Sequence, residues 1–280
     1  MVWYRFGSGN SSSNLLQCSC TLLQSIMDLT LPLDVLLHII ELLAAARDDG
    51  DNIKSLQILS QTCKFMVPIC RKHLFSSLRL RPSISERFSD LLLENPDIAR
   101  YVRSLNFLYS PSMISGHELT ILNILKLHSP LKSIELSSHL VDWNDYPESV
   151  RLSLLSLIEL PTVTHLNINA FRRFPATALS GCTNLISLQF GDIELTLPDS
   201  EFNHVISRNK IPTPAFLNIQ IRTFGFRVLL NSASLHAGGP IDFGRVEMVA
   251  FEVDVNHVIN DINKLIKLTR RLRYINIKCE

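Results

Sequence analysis

Scarcity narrows the class of this protein before any motif is read. Cysteine is rare, six in 280 residues. That is no disulfide framework, and the thiols read as reduced, in a cytoplasmic or nuclear protein. Neither sign of charge dominates: 27 Lys and Arg face 26 Asp and Glu, a net charge of +1. No strong field therefore draws the chain to nucleic acid or to an anionic membrane. The most apolar stretch, LPLDVLLHIIELL at 31–43, is shorter than the roughly 20 residues a bilayer span needs, and three polar side chains interrupt it. The opening MVWYRFGSGNSSSN turns polar after six residues, without the apolar core of a signal peptide.

Catalytic signatures are missing as well. There is no Gly-x-x-x-x-Gly-Lys-Ser/Thr, no Gly-x-Ser-x-Gly and no His-Glu-x-x-His. The GSGN of the N-terminus lacks the preceding strand a phosphate loop requires. Cys63, Cys70 and His73 have no evident fourth metal ligand, and His38 and His165 have no placed nucleophile beside them. The expectation is a chain with no catalytic residues, no metal and no cofactor.

What is present falls into three parts. Residues 1–27 read as a flexible tail around GSGNSSSN, with Met27 a candidate start. Residues 28–80 hold about three short helices. In the first, Pro32 suits the opening helical position and Asp34 the positive end of the helix dipole. Asp34, His38 and Glu41 form one narrow polar stripe on an otherwise apolar helix. So short a segment cannot bury such helices well by itself.

Residues 81–280 carry a repeat. The pattern apolar-x-x-apolar-x-apolar recurs as VRSLNF at 102, LKSIEL at 131, VTHLNI at 163, LISLQF at 185, IRTFGF at 221, VEMVAF at 246 and LRYINI at 272. Its last two apolar positions alternate as in a half-buried strand. Helical segments intervene. Ser83 with Glu86, and Ser115 with Glu118, have capping-box spacing, Pro147 suits a first helical position, and Asp254 is a plausible cap before VNHVINDINKLIKL. The stretches 191–220 and 227–245 read mostly as loops and turns. Strand, crossover and strand, repeated every 22–36 residues, point to an α/β solenoid of parallel strands.

LPLDVLLHIIELL, followed by LQILSQTCKFMVPICRKHLFSSLRL with its Cys63-Lys64 pair and its Leu74–Leu80 phrase, resembles the F-box, in particular that of F-box-like proteins of mushroom-forming fungi. With the repeats, the chain resembles a short helical F-box followed by an irregular leucine-rich-repeat solenoid. The usual Asn or Cys three residues after the last apolar position is replaced here by Ser110, His139, Phe171 and Ile193.

The resemblance implies a non-enzymatic substrate-receptor subunit of a cullin-RING ubiquitin ligase. Leu31, Pro32, Leu36, Ile39 and Ile40 would bind the Skp-family adaptor, while Val35, Leu42 and Leu43 would pack at home. The repeats would hold an unknown target protein on the exposed sheet face, through Glu135, His165, Asn167, Gln189, Arg227 and Tyr274. Tyr274 and Arg227 are the expected anchors, since Tyr and Arg are favoured at interface hot spots. Two alternatives stay open: an interaction module whose degenerate box no longer binds an adaptor, and an enzyme whose site is too dispersed to see.

Overall fold

The computed structural model describes residues 32–45, 50–62, 65–196, 213–220, 241–253 and 259–279. The expected tail at 1–27 lies outside these residues, as do Leu31, Arg227 and the candidate cap Asp254. The chain divides into two units, Met1–Ser76 and Ser77–Glu280.

The first unit contains α1 (Leu33–Ala45), α2 (Gly50–Thr62) and α3 (Met66–Leu74). Pro68 sits in the first turn of α3, where its missing N–H costs no helical hydrogen bond. Ile40 of α1, Leu56 of α2, and Met66, Cys70 and Leu74 of α3 are buried.

The second unit is α/β. Its main sheet has eight strands, all parallel. They are β1 (Ser77–Leu80), β2 (Ser104–Leu108), β3 (Ser133–Asp142), β4 (His165–Arg172), β6 (Ser187–Gly191), β8 (Phe216–Gln220), β9 (Met248–Val253) and β10 (Tyr274–Cys279), and they lie side by side in chain order. β5 (Phe174–Pro175) and β7 (Leu195–Thr196) pair separately, also in parallel. The sheet is open, not a closed barrel.

Register explains the repeat. Leu78, Leu105, Ile134, Leu166, Leu188, Leu217 and Val249 stand opposite one another on successive strands, and all are buried. Two residues on, Leu80, Phe107, Leu136, Ile168 and Phe190 form a second buried rank. Between them every side chain points to the other face, because strand side chains alternate. The first apolar position of the pattern, at Val102, Leu131, Val163, Leu185 and Val246, is buried just ahead of each strand.

A second repeat lies in the backbone. The N–H groups of Lys132 and Ser133 both donate to the Arg103 carbonyl, and those of Thr164 and His165 to Lys132. The same pair of bonds recurs from 186/187 to Thr164, from 215/216 to Ile186, from 247/248 to Ala215 and from 273/274 to Glu247. Each unit thus hands its neighbour one carbonyl at the same place.

The crossovers follow from their lengths. α4 (Pro82–Glu94), α5 (Gly116–His128), α6 (Glu148–Ile158) and α7 (Ile259–Leu268) fill four of them. Phe88 and Leu92, Ile121, Leu122 and Leu125, and Val150, Leu154, Leu157 and Ile158 turn inward from the first three. Between β4 and β6 the chain is shorter, and a 3-10 helix (Ala176–Gly181) replaces the α-helix, burying Ala178 and Leu179.

Several sequence expectations need correction. The first strand unit is FSSLRL at 75–80, ahead of the helices rather than at the end of the helical domain. The break between units therefore falls after Ser76, not after residue 80, because β1 pairs with β2. PAFLNI at 214–219 supplies β8, inside a stretch read as loop. Pro214 hides it by occupying the first apolar position. IRTFGF at 221–226 lies outside the described residues. With β8 at Phe216, the intervals become 29 residues from Ser187 and 32 on to Met248, closer to the rest of the series. α4 is not opened by a Ser83–Glu86 box: Arg81 is its cap and Pro82 its first residue. Pro147 caps α6 rather than opening it.

The Ser115–Glu118 capping box is formed. The Ser115 N–H and hydroxyl donate to Glu118 Oε2 at 2.6 and 2.7 Å, and Ser115 Oγ accepts from the His117 N–H at 3.3 Å. Glu118 is fully buried. Burial raises its pKa, but hydrogen bonds from Ser85, Ser115 and nearby backbone N–H groups outweigh that and hold it below the ordinary value. A depressed folded-state pKa stabilises the fold above the unfolded pKa. That contribution disappears as pH falls through and below about 4.3, the ordinary glutamate value. Glu118→Ala removes the box and strands buried donors, so it should cost about 1–3 kcal/mol in chemical denaturation at neutral pH. Glu118→Gln should flatten the acid limb of the stability profile, and an unchanged acid limb would contradict the assignment.

Candidate functional site

The face of the sheet opposite the core is built from the residues between the buried ranks. One rank across it reads Ser77, Ser104, Ser133, His165, Ser187, Phe216, Met248 and Tyr274. The next reads Arg79, Asn106, Glu135, Asn167, Gln189, Asn218, Ala250 and Asn276. Parallel in-register pairing sets each residue about 4.8 Å from the next along a rank. Glu135, His165, Asn167 and Gln189 therefore fall on one surface, with His165 exposed and the others half-buried. Asn106 Nδ2 donates to Glu135 Oε2 at 2.5 Å, and Thr164 Oγ1 lies 2.9 Å from His165 Nδ1.

The face changes character along the strand order. From β1 to β6 it is hydroxyl, amide and imidazole, with Arg79 and Glu135 its charges. At β8–β10 the first rank becomes Phe216, Met248 and Tyr274. Met248 is 40% exposed and Tyr274 64% exposed, while Phe216 is half-buried. Tyr274 was expected on this face, but Phe216 and Met248 were not. Phe216 was missed because its strand was read as loop. Met248 holds the position in VEMVAF that Ser104 holds in VRSLNF, so the repeat itself could have found it.

At the carboxyl ends of the strands the fold closes on aromatics. Trp143 meets Phe174 edge-on at 4.8 Å and Phe171 at 5.7 Å, and the Tyr146 hydroxyl donates to the Tyr109 carbonyl at 2.6 Å. Burial pushes the Tyr146 phenol up to about 12. Phe171 and Ile193, two of the positions where an Asn or Cys was expected to bond turn backbone, are buried here. Polar satisfaction comes from elsewhere: the Ser138 hydroxyl donates to the Ala170 carbonyl at 2.6 Å and accepts from the Val141 N–H. Leu140, Ala170, Arg173 and Asp192 take left-handed φ values of 57°, 58°, 52° and 44° at these turns. Arg173 pairs with Asp142 across two of them.

The second surface is on the helical unit. Val35, Ile39 and Leu42 of α1 are exposed, Leu42 by 57%. Their spacing of i, i+4 and i+7 aligns them as one stripe. Pro32 is exposed beside them, Leu36 is half-buried, and Ile40 is 1% exposed. Burial divides this helix differently from expectation: Ile40 lies on the packed side, about 100° round from Ile39, whereas Val35 and Leu42, expected to pack at home, are on the surface. Leu43 is half-buried. Ile58 and Phe65 are further exposed apolar residues of this unit.

Other chemistry is limited. Among the described residues no cluster of His, Cys, Asp or Glu forms a metal-binding group, and no helix is long and apolar enough to cross a membrane. Burial, aided by the charge of Glu159, pushes the Cys182 thiol up to about 12, so it is a packing residue rather than a nucleophile. No family model, curated protein or solved structure matches the chain.

The reassigned helix face has a direct consequence. Ile40→Ala should destabilise the helical unit by about 2–4 kcal/mol, as truncation of a buried Ile does. Ile39→Lys or Leu42→Lys should change it by less than about 0.5 kcal/mol. Hydrogen exchange over α1–α3 measures both. Equal loss of protection in all three variants would contradict this division of α1.

Proposed function

We propose that this chain is a substrate-receptor subunit of an SCF-type cullin-RING ubiquitin ligase. Its helical unit is an F-box that docks the Skp-family adaptor, and its α/β unit is an irregular leucine-rich-repeat solenoid that holds a target protein. The observation that carries this reading is the apolar stripe Val35–Ile39–Leu42, left exposed on a small unit with three described helices whose sequence resembles the F-box. Isolated exposed apolar residues are ordinary, but an aligned row of them marks an interaction surface.

The solenoid reading draws support from the chain-order parallel sheet, its ranked register and the carbonyl shared at each junction. Each repeat buries its apolar ranks against its neighbours and leaves one face of every strand for recognition. Among the described residues the irregularity includes the 3-10 crossover between β4 and β6, and a turn end sealed by Phe171, Phe174 and Trp143 where regular repeats use Asn. In this role the chain contributes no reaction of its own. It brings a bound target to the ligase, and specificity lies in the sheet face.

Burial of an Ile or Leu at an interface core is worth about 1.5–3 kcal/mol. Ile39→Lys with Leu42→Lys should therefore abolish co-purification of adaptor and cullin from cell lysate and leave the thermal transition of the α/β unit in place. Full recovery of adaptor by this variant would overturn the adaptor-docking face, and failure of the parent protein to recover any adaptor would overturn the ligase assignment.

A further inference from the structure

We infer that the sheet face recognises an extended peptide segment bearing a Lys or Arg and a large apolar side chain separated by about four to seven residues. This deepens the target-binding role proposed above and rests on it.

The inference starts from the two ranks of the open face. In those ranks Glu135 on β3 is the one carboxylate. It stands among neutral amides: Asn106 before it, Asn167 and Gln189 after it. Arg79, the cation of the same ranks, is two strands away on β1. The Asn106 bond engages Oε2 of Glu135. A carboxylate held by an amide, with no other charge in these two ranks from β2 to β10, is complementary to a target cation.

The apolar partner site is Phe216, Met248 and Tyr274, which occupy one rank on three adjacent strands. Two aromatics around a methionine make an adaptable apolar seat, of the residue types enriched where binding energy concentrates. Its exposure in a strip across strands, beside Asn218 and Asn276, puts amides next to it for hydrogen bonds to a bound backbone.

The spacing follows from the strand order. From β3 the sheet runs through β4 and β6 to β8, then β9 and β10. At about 4.8 Å per strand, and with the seat two residues nearer the strand starts than Glu135, the seat lies roughly 16 to 25 Å from Glu135. An extended peptide covers about 3.3 Å per residue. A segment crossing the strands therefore needs about four to seven residues between its cation and its apolar anchor. The amide rank between the two sites offers donors and acceptors along the way without demanding particular side chains.

The test uses the full chain and fluorescein-labelled synthetic peptides of Ser and Ala carrying one Lys and one Phe, two to ten residues apart, read by fluorescence anisotropy. Binding should peak at separations of four to seven and fall by about tenfold or more at two and at ten. Glu135→Gln should weaken the best peptide by about tenfold and remove its preference for Lys over norleucine. Met248→Ser with Tyr274→Ser should weaken it comparably and remove the preference for Phe over Ala. These positions are on the surface, and unchanged circular dichroism melts confirm that the variants fold. Adaptor recovery is measured on the same preparations. Peptide binding that is absent, independent of spacing, or unaffected by both variants, with adaptor recovery intact, overturns this inference and leaves the receptor assignment standing. Loss of adaptor recovery in the parent chain overturns that assignment instead.

Discussion

One backbone arrangement runs through most of the larger unit: the carbonyl just ahead of each main-sheet strand from β2 to β9 accepts two N–H groups from the unit that follows. From Arg103 to Glu247 this junction recurs at the same point of the pattern. It sets neighbouring strands parallel and in register, so a leucine in one unit faces a leucine or isoleucine in the next. A slip of one residue at any junction would turn Leu105 and Phe107 to solvent and bring Asn106 into the core. The apolar ranks and the junction bonds enforce the same register, and neither alone would.

That register also creates the open face of the sheet. Because side chains alternate, a core made of ranks implies an open face made of ranks. Asn106, Glu135, Asn167 and Gln189 are brought together although 22 to 32 residues separate each from the next. Single residues from many units are thereby pooled on one surface. The change from amides on β2–β6 to Phe216, Met248 and Tyr274 on β8–β10 gives this surface a direction, which a uniform polar sheet would lack.

The helical unit presents the complementary problem. Its three described helices leave part of the apolar surface they carry exposed. Ile40, Leu56, Met66 and Cys70 take the interior, and Val35, Ile39 and Leu42 are left outside. Exposed apolar surface of this kind weakens solubility in isolation and strengthens association with a partner. The two units thus divide the proposed work: one holds a constant component through apolar burial, the other selects a variable one through amides, one carboxylate and an aromatic seat.

Periodicity alone determined a good deal. The spacing of Leu, Ile, Val and Phe in VRSLNF and its copies specified parallel strands, their alternation and most of their positions, because burying one face of a strand leaves a period of two that composition cannot disguise. It also placed Glu135, His165, Asn167, Gln189 and Tyr274 on the open face, and Ser115 and Glu118 in a cap. Other features were decided only in three dimensions. β8 was hidden because Pro214 is a weak apolar signal, and it emerged because its neighbours left a gap in the ladder that PAFLNI fills. β1 was assigned to the wrong unit because its phrase follows a helix, whereas its hydrogen bonds run to β2. α1 is apolar around most of its circumference, so its own residues could not say which side would be covered. Tertiary packing put Ile40 inside and left Leu42 out, since a helix with no strongly polar face takes its orientation from whatever packs against it.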